Sequence, residues 1–402
     1  MSLKNKSIVS VILFGLIACV LYGLGAGIRS DIGILLNPLA EHAGLSYENV
    51  STCIAFMQLV FGASQPFFGI LAARKSNRFV LLLGIFFLFL SLTGMIISSS
   101  FVILFISLSV LFGLGAGAIA FGLVLSSAIH FVGQNNAMIV SGMLNAAAGM
   151  VGFILSPLLQ NLIRTKGLNQ TLFVLIMIVI LLIPFALFVT SRDSGDSQSE
   201  KSAPVSIASL FQEAIHNRTY RLLLAGFSTC GFHMVIIESH LFSQFVLFGI
   251  DEQNASWAYS IYGIATIFGA LLSGFLSTRI HKGKLLGFYY GFRAVWVLIC
   301  VFLLPKNMIT AVIFSIGLGM SGDATVSPTS GLVSENFSVY KVATLTGVLF
   351  FGHQIGAFFS AWLGGLIRTA TGSYTLLWIL DAFICTFACV MSMMIHEEKR
   401  TS

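Results

Sequence analysis

The sequence predicts an all-α membrane protein, with twelve transmembrane helices in two six-helix halves that repeat in the same orientation. Three observations carry this prediction: a shortage of charge, a regular series of long apolar runs, and phrases of the first half that recur in the second. Of 402 residues only 36 are charged (21 Lys and Arg, 15 Asp and Glu), which is 9% of the chain, while 57% is apolar. Soluble domains carry about 25% charged residues. So few charges cannot cover a water-facing surface of this size, which excludes a soluble enzyme, a nucleic-acid binder and a disordered chain.

The runs are approximately 8–36, 50–72, 79–97, 101–127, 136–163, 171–191, 220–248, 254–277, 285–304, 308–333, 342–367 and 374–395. Each can cross a hydrocarbon core of ~30 Å as a helix, the form that satisfies its own backbone there. The first run starts behind Lys4 and Lys6 and stays apolar to Ile28, longer than the apolar core of a cleaved leader, so it reads as a span. Most connectors have under a dozen residues. The exception is polar and divides the chain into an N-terminal half (1–191), a linker (192–219) and a C-terminal half (220–402).

With both termini cytoplasmic, the inner side holds 15 basic residues, among them Lys4, Lys6, Arg192, Lys201, Lys399 and Arg400. The outer side holds 4, namely Arg164, Lys166, Lys306 and Arg368. That asymmetry satisfies the positive-inside rule. The six cysteines all fall inside apolar runs without a CxxC pair, and they read as buried packing residues.

The halves echo each other. Gly69-Ile-Leu-Ala-Ala-Arg74 after span 2 returns as Gly274-Phe-Leu-Ser-Thr-Arg279 after span 8. Leu162-Ile-Arg164-Thr at the end of span 5 returns unchanged as Leu366-Ile-Arg368-Thr at the end of span 11. Echoes six spans apart indicate a parallel repeat. Twelve spans, a long central linker and a Gly-x-x-x-x-Arg loop after spans 2 and 8 resemble the major facilitator superfamily over essentially the whole chain. Gly27-Ile-Arg29-Ser-Asp-Ile-Gly33 with Asn37-Pro38, and Gly152-x4-Pro157-Leu-Leu-Gln160 in span 5, look like the bacterial monocarboxylate-transporter-like members. The resemblance implies that spans 1, 4, 7 and 10 line a central cavity. Span 8 carries no charged residue, where monocarboxylate transporters usually place an arginine. Gly152-x3-Ser156-Pro157 also meets part of the drug-antiporter motif, so efflux of amphiphilic compounds stays open as an alternative.

An ionisable group at mid-span costs ~2.5–3.5 kcal/mol on insertion scales, so each needs a partner, water or a role. Arg29 lies about 21 residues into span 1, and its planar fork of donors suits a carboxylate. Snorkelling to the outer interface is its structural alternative. In span 7, His233 and His240 are seven residues apart and share a face, while Glu238 lies about 140° round from His233. Asp323 sits between Gly322 and Pro328, which loosen span 10 near its centre. Arg293 in span 9 and Asp381 in span 12 are expected to point inwards, toward each other, as a structural ion pair. Softer candidates are Gln58 and Gln65, Asn145, and His353 with Gln354. The Gly113–Gly122 stretch of span 4 reads as a close-packing face rather than a phosphate loop.

The sequence therefore predicts a secondary active transporter, not an enzyme, with no metal and no cofactor. Its partners are a small-molecule substrate, protons and the lipid bilayer of the cytoplasmic (inner) membrane, with no nucleic acid, and it acts as a monomer. The expected cargo is a monocarboxylate-like anion moved in symport with protons. Arg29, His233, His240, Asn145 and His353 are the expected substrate contacts, and Asp323 and Glu238 the expected proton carriers.

Overall fold

The computed structural model describes residues 8–133, 136–191 and 207–396. Lys4, Lys6, Arg192, Lys201, Lys399 and Arg400, and the 192–206 part of the linker, lie outside the described residues. The chain divides into two compact units, Met1–Ser199 and Glu200–Ser402, each with its own core. Among the described residues, eleven helical segments are long and apolar enough to cross a membrane. The twelfth run, 342–367, falls within the 33-residue helix Val339–Thr371.

In the N-terminal unit the spans are Ile8–Ser30, Tyr47–Arg74, Asn77–Ile96, Phe101–Ile129, Ala137–Lys166 and Leu168–Val189. Span 1 lies along span 5, span 2 along span 4, and span 3 along span 6. In the C-terminal unit the spans are Arg218–Leu247, Glu252–Leu276, Lys282–Leu303, Met308–Asn336, Val339–Thr371 and Thr375–Met393. Here span 7 lies along span 11, span 8 along span 10, and span 9 along span 12. The pairing of the first six is thus reproduced by the second six in the same order, as a parallel repeat requires.

Local chemistry sets the ends. Ser46, Ser76, Ser100, Asn217, Asp251 and Asn307 each accept a hydrogen bond from a first-turn backbone N–H, satisfying donors that a helix leaves open. At Asp251, in the loop before span 8, the Asn254 backbone N–H and amide hold the carboxyl below the usual carboxylate range. Gly372 closes span 11 in the left-handed region (φ 71°), its N–H donating to Arg368 O at 2.9 Å.

The spans are less regular than their apolar runs suggest. Span 1 stops at Ser30, and a separate helix, Ile32–Ala43, carries the chain through Pro38 and past the predicted end at 36. Spans 4, 7 and 9 contain π-helical stretches at Phe105–Phe112, Ile237–Leu241 and Ile299–Leu303. Apolar periodicity does not distinguish such wide turns from ordinary α-helix. In span 4, Gly115 sits against span 3, where any Cβ would come within 2.8 Å of the Leu88 side chain.

Candidate functional site

The polar chemistry of the C-terminal unit is organised by the break in span 10. The helix Met308–Ser321 stops at Gly322 (φ −56°, ψ −86°), a single 3-10 turn covers Asp323–Thr325, and Val326–Asn336 resumes the helix. A broken helix leaves carbonyls without intrahelical donors, which is costly in a bilayer. Pro328 also has no N–H to offer Ala324 O. Side chains supply what the backbone lost. Arg293 Nη2 donates to Ser321 O at 2.5 Å and to Gly322 O at 2.6 Å. Ser273 Oγ of span 8 donates to Ala324 O.

Arg293 is fully buried, and its Nη1 reaches Cys230 Sγ of span 7 at 3.2 Å. Cys230 in turn meets Thr325 Oγ1 at 3.3 Å. The predicted pairing of Arg293 with Asp381 does not form. Asp381, also fully buried, meets His233 Nδ1 at 2.8 Å and accepts from Cys385 Sγ at 3.7 Å. Two freed carbonyls take the guanidinium, and the His233 imidazole of span 7 takes the carboxylate. Both residues point inwards as expected, each to a different partner.

His233, Asp381 and Cys385 bring metal-ligand atom types within 4.8 Å of one another. The 2.8 Å His–Asp separation is a hydrogen-bond length, and it ties span 7 to span 12. His240, expected on the substrate, is fully buried instead. Its Nε2 lies 3.2 Å from Ala361 O, and its imidazole fills the space that a Cβ at Gly364 would need. His233 is likewise sealed at 0% exposure. Both histidines are therefore helix-packing groups rather than surfaces for a solute. They do share the side of span 7 that the spacing predicts, facing spans 11 and 12.

Glu238 turns to another side of span 7. Asp323, whose side chain is exposed at the break, lies in the electrostatic reach of Cys230, Glu238, His353 and Arg293. Tyr262 of span 8 lies in reach of both Asp323 and Glu238, and its hydroxyl meets Met234 Sδ at 3.6 Å. Half-buried His353 of span 11 lies against Phe227, ring centroids 5.0 Å apart and the planes tilted by 39°. The structure thus brings Asp323, Glu238 and His353 together around one break, on residues contributed by spans 7, 10 and 11. Cys230 and Tyr262 belong to this cluster and were missed, since a cysteine or tyrosine in an apolar run gives no signal of its own. The signal that could have found Cys230 is its spacing three residues before His233 on the same helix.

In the N-terminal unit, Arg29 is half-buried, and its Nη1 donates to Gln58 Oε1 of span 2 at 3.2 Å. Its guanidinium carbon stands 4.9 Å from the centre of the Phe61 ring, one helical turn further along span 2. Gln58 itself is fully buried. Asn145 is exposed on span 5. The Gln58 and Phe61 contacts orient the Arg29 fork against span 2.

The family model described as the Major Facilitator Superfamily matches residues 13–247 and 242–402. The MFS-type transporter YcxA of Bacillus subtilis is 22% identical over 364 residues, 87% of this chain and 86% of that protein. Monocarboxylate transporter 12 of Mus musculus is 25% identical over 349 residues, covering 77% of this chain and 70% of its own. Among solved structures, the D-xylose-proton symporter superposes with a TM-score of 0.74 at 12% identity, over 98% of this chain and 99% of that one. The chain belongs to the Major Facilitator Superfamily: it is a multi-pass membrane transporter of small molecules, not an enzyme.

Proposed function

We propose that this superfamily member carries small organic anions of the monocarboxylate class in symport with protons. It would work by alternating access as a monomer in the cytoplasmic (inner) membrane, with both termini cytoplasmic and 192–219 joining the halves. The observation that carries the reading is Arg29. A half-buried guanidinium, whose planar fork is oriented by the Gln58 amide and the Phe61 ring, is complementary to a carboxylate. The similarity to a protein named monocarboxylate transporter supports the same class of cargo.

Proton coupling is assigned to the carboxylates around the span 10 break. Asp323 is the principal carrier, with Glu238 as its neighbour and His353 as the titratable ring beside them. A carboxylate exposed at a helix break can gain and lose a proton during a cycle. Its protonation changes the local charge facing the buried Arg293, and so can bias the hinge that Arg293 holds.

The test uses purified protein in liposomes with lactate as probe. An inwardly directed proton gradient should drive lactate accumulation, and a protonophore should abolish it. Arg29→Gln should stop lactate transport while inserting normally, and Arg29→Lys should retain a fraction. Unchanged accumulation in the Gln variant, or with the gradient collapsed, would contradict the proposal.

A further inference from the structure

One end of the C-terminal unit carries a cleft of about 220 Å³ that shares no residue with the cluster above. Its polar lining consists of Gln244 near the end of span 7, Lys306 in the loop after span 9, and Gly372, Ser373 and Thr375 between spans 11 and 12. No Asp or Glu lines it. Its one charged lining residue is the cation Lys306.

Gln244 is the built part of the site. It is 7% exposed, and its Oε1 accepts from Trp378 Nε1 at 3.0 Å. That bond fixes the amide with its acceptor turned away, which leaves the NH2 group as the donor for the cleft. Ser373 and Thr375 share a hydroxyl contact of 2.8 Å and sit where the 19-residue helix Thr375–Met393 begins, the positive end of its dipole.

The repeated motif places a further arginine near the cleft, outside its lining. Arg368, from the Leu-Ile-Arg-Thr phrase shared by both halves, has its Nη1 3.6 Å from where a Cβ at Gly372 would stand. Its guanidinium carbon lies 6.0 Å from the Tyr374 ring centre. The matching Arg164 is exposed and bonds only weakly within its own helix, Nη2 to Asn161 Oδ1 at 3.5 Å. Of the four basic residues assigned to the outer side, Lys306 lines this cleft and Arg368 stands beside its Gly372.

We propose that the cleft is a binding site for small organic carboxylates, where the cargo is concentrated at the outer face. The volume suits a carboxylate of a few heavy atoms, not an amphiphilic drug. The identity of the ligand as cargo rests on the function proposed above; the anion preference of the cleft does not.

The test is therefore made independent of transport. Thr375→Cys places a thiol in the cleft of the full-length protein, in which five native cysteines are buried and Cys389 half-buried. Its reaction is followed with an anionic and a cationic methanethiosulfonate of similar size, each normalised to its rate on a free thiol and to the unsubstituted protein. The anionic reagent should react about fivefold faster, a ratio of the size that one or two nearby cations produce. Adding Lys306→Gln should bring the ratio close to unity, and acetate at tens of millimolar should slow labelling in the presence of Lys306 but not without it. Equal reactivity of the two reagents, a ratio that Lys306→Gln leaves unchanged, or labelling indifferent to acetate would overturn the site. Ser373→Cys gives the same readings should Thr375→Cys not fold. Anion preference and acetate protection without any lactate transport would keep the site and remove the cargo assignment. Lactate transport with an indifferent cleft would do the reverse.

Discussion

Arg29 and Arg293 are the arginines that each half places inside a span, and the halves treat them in opposite ways. Arg29 is half-buried and rests on a neutral amide and an aromatic face. Arg293 has no exposure at all, and its two Nη groups donate to a thiol and two backbone carbonyls. The C-terminal half also encloses His233, His240 and Asp381, whose partners come from neighbouring spans. The difference teaches that an arginine in a membrane helix need not be a ligand contact. Where a helix breaks, the bilayer supplies no donors for the freed carbonyls, and a guanidinium can serve that backbone instead. We assign anion recognition to the reachable arginine and hinge support to the sealed one.

The largest effect that could break this contrast is expected at Arg293. Arg293→Met removes the donors of Ser321 O and Gly322 O and leaves nearby acidic groups without their cation. Breaking a buried charge arrangement by removing one partner costs about 3–5 kcal/mol. The variant should therefore express poorly or melt far below the parent, whereas Arg29→Gln should melt close to it. Equal melting of the two variants in the same detergent would erase the distinction.

A smaller effect sharpens it. Asp381→Asn keeps the shape and one acceptor facing His233 but loses the charge, so it should cost about 1–3 kcal/mol. Since neither residue is exposed, lactate affinity in the surviving folded protein should be unchanged. A shifted affinity with normal stability would return His233 and Asp381 to the solute path.

Much of the fold was legible in the sequence because the bilayer imposes a strong and simple rule on helix length and apolarity. The twelve runs, the parallel repeat and the break at Gly322 all follow from residues that can be counted or named. The partners of the buried charges were not legible. Arg293 and Asp381 were expected to meet because a lone charge on a peripheral span cannot face lipid, yet two carbonyls and a histidine are the partners they find. Backbone carbonyls carry no residue letter, so a sequence does not advertise them as partners. Pro328 was the available hint, since a proline in a span strips a donor from the carbonyl four residues earlier. The π-helical turn at Ile237–Leu241 was equally silent, although it sets which side of span 7 Glu238 faces.

The division of labour itself is tested most directly at Asp323, in one preparation with two readouts. Asp323→Asn protein, reconstituted in liposomes, is compared with the parent for lactate counterflow at equal pH and for lactate accumulation driven by a proton gradient. The account predicts that counterflow persists, because Arg29 still recognises the anion, while gradient-driven accumulation is lost. A stable Asp323→Asn protein that accumulates lactate as the parent does would contradict the claim that the C-terminal half carries the proton.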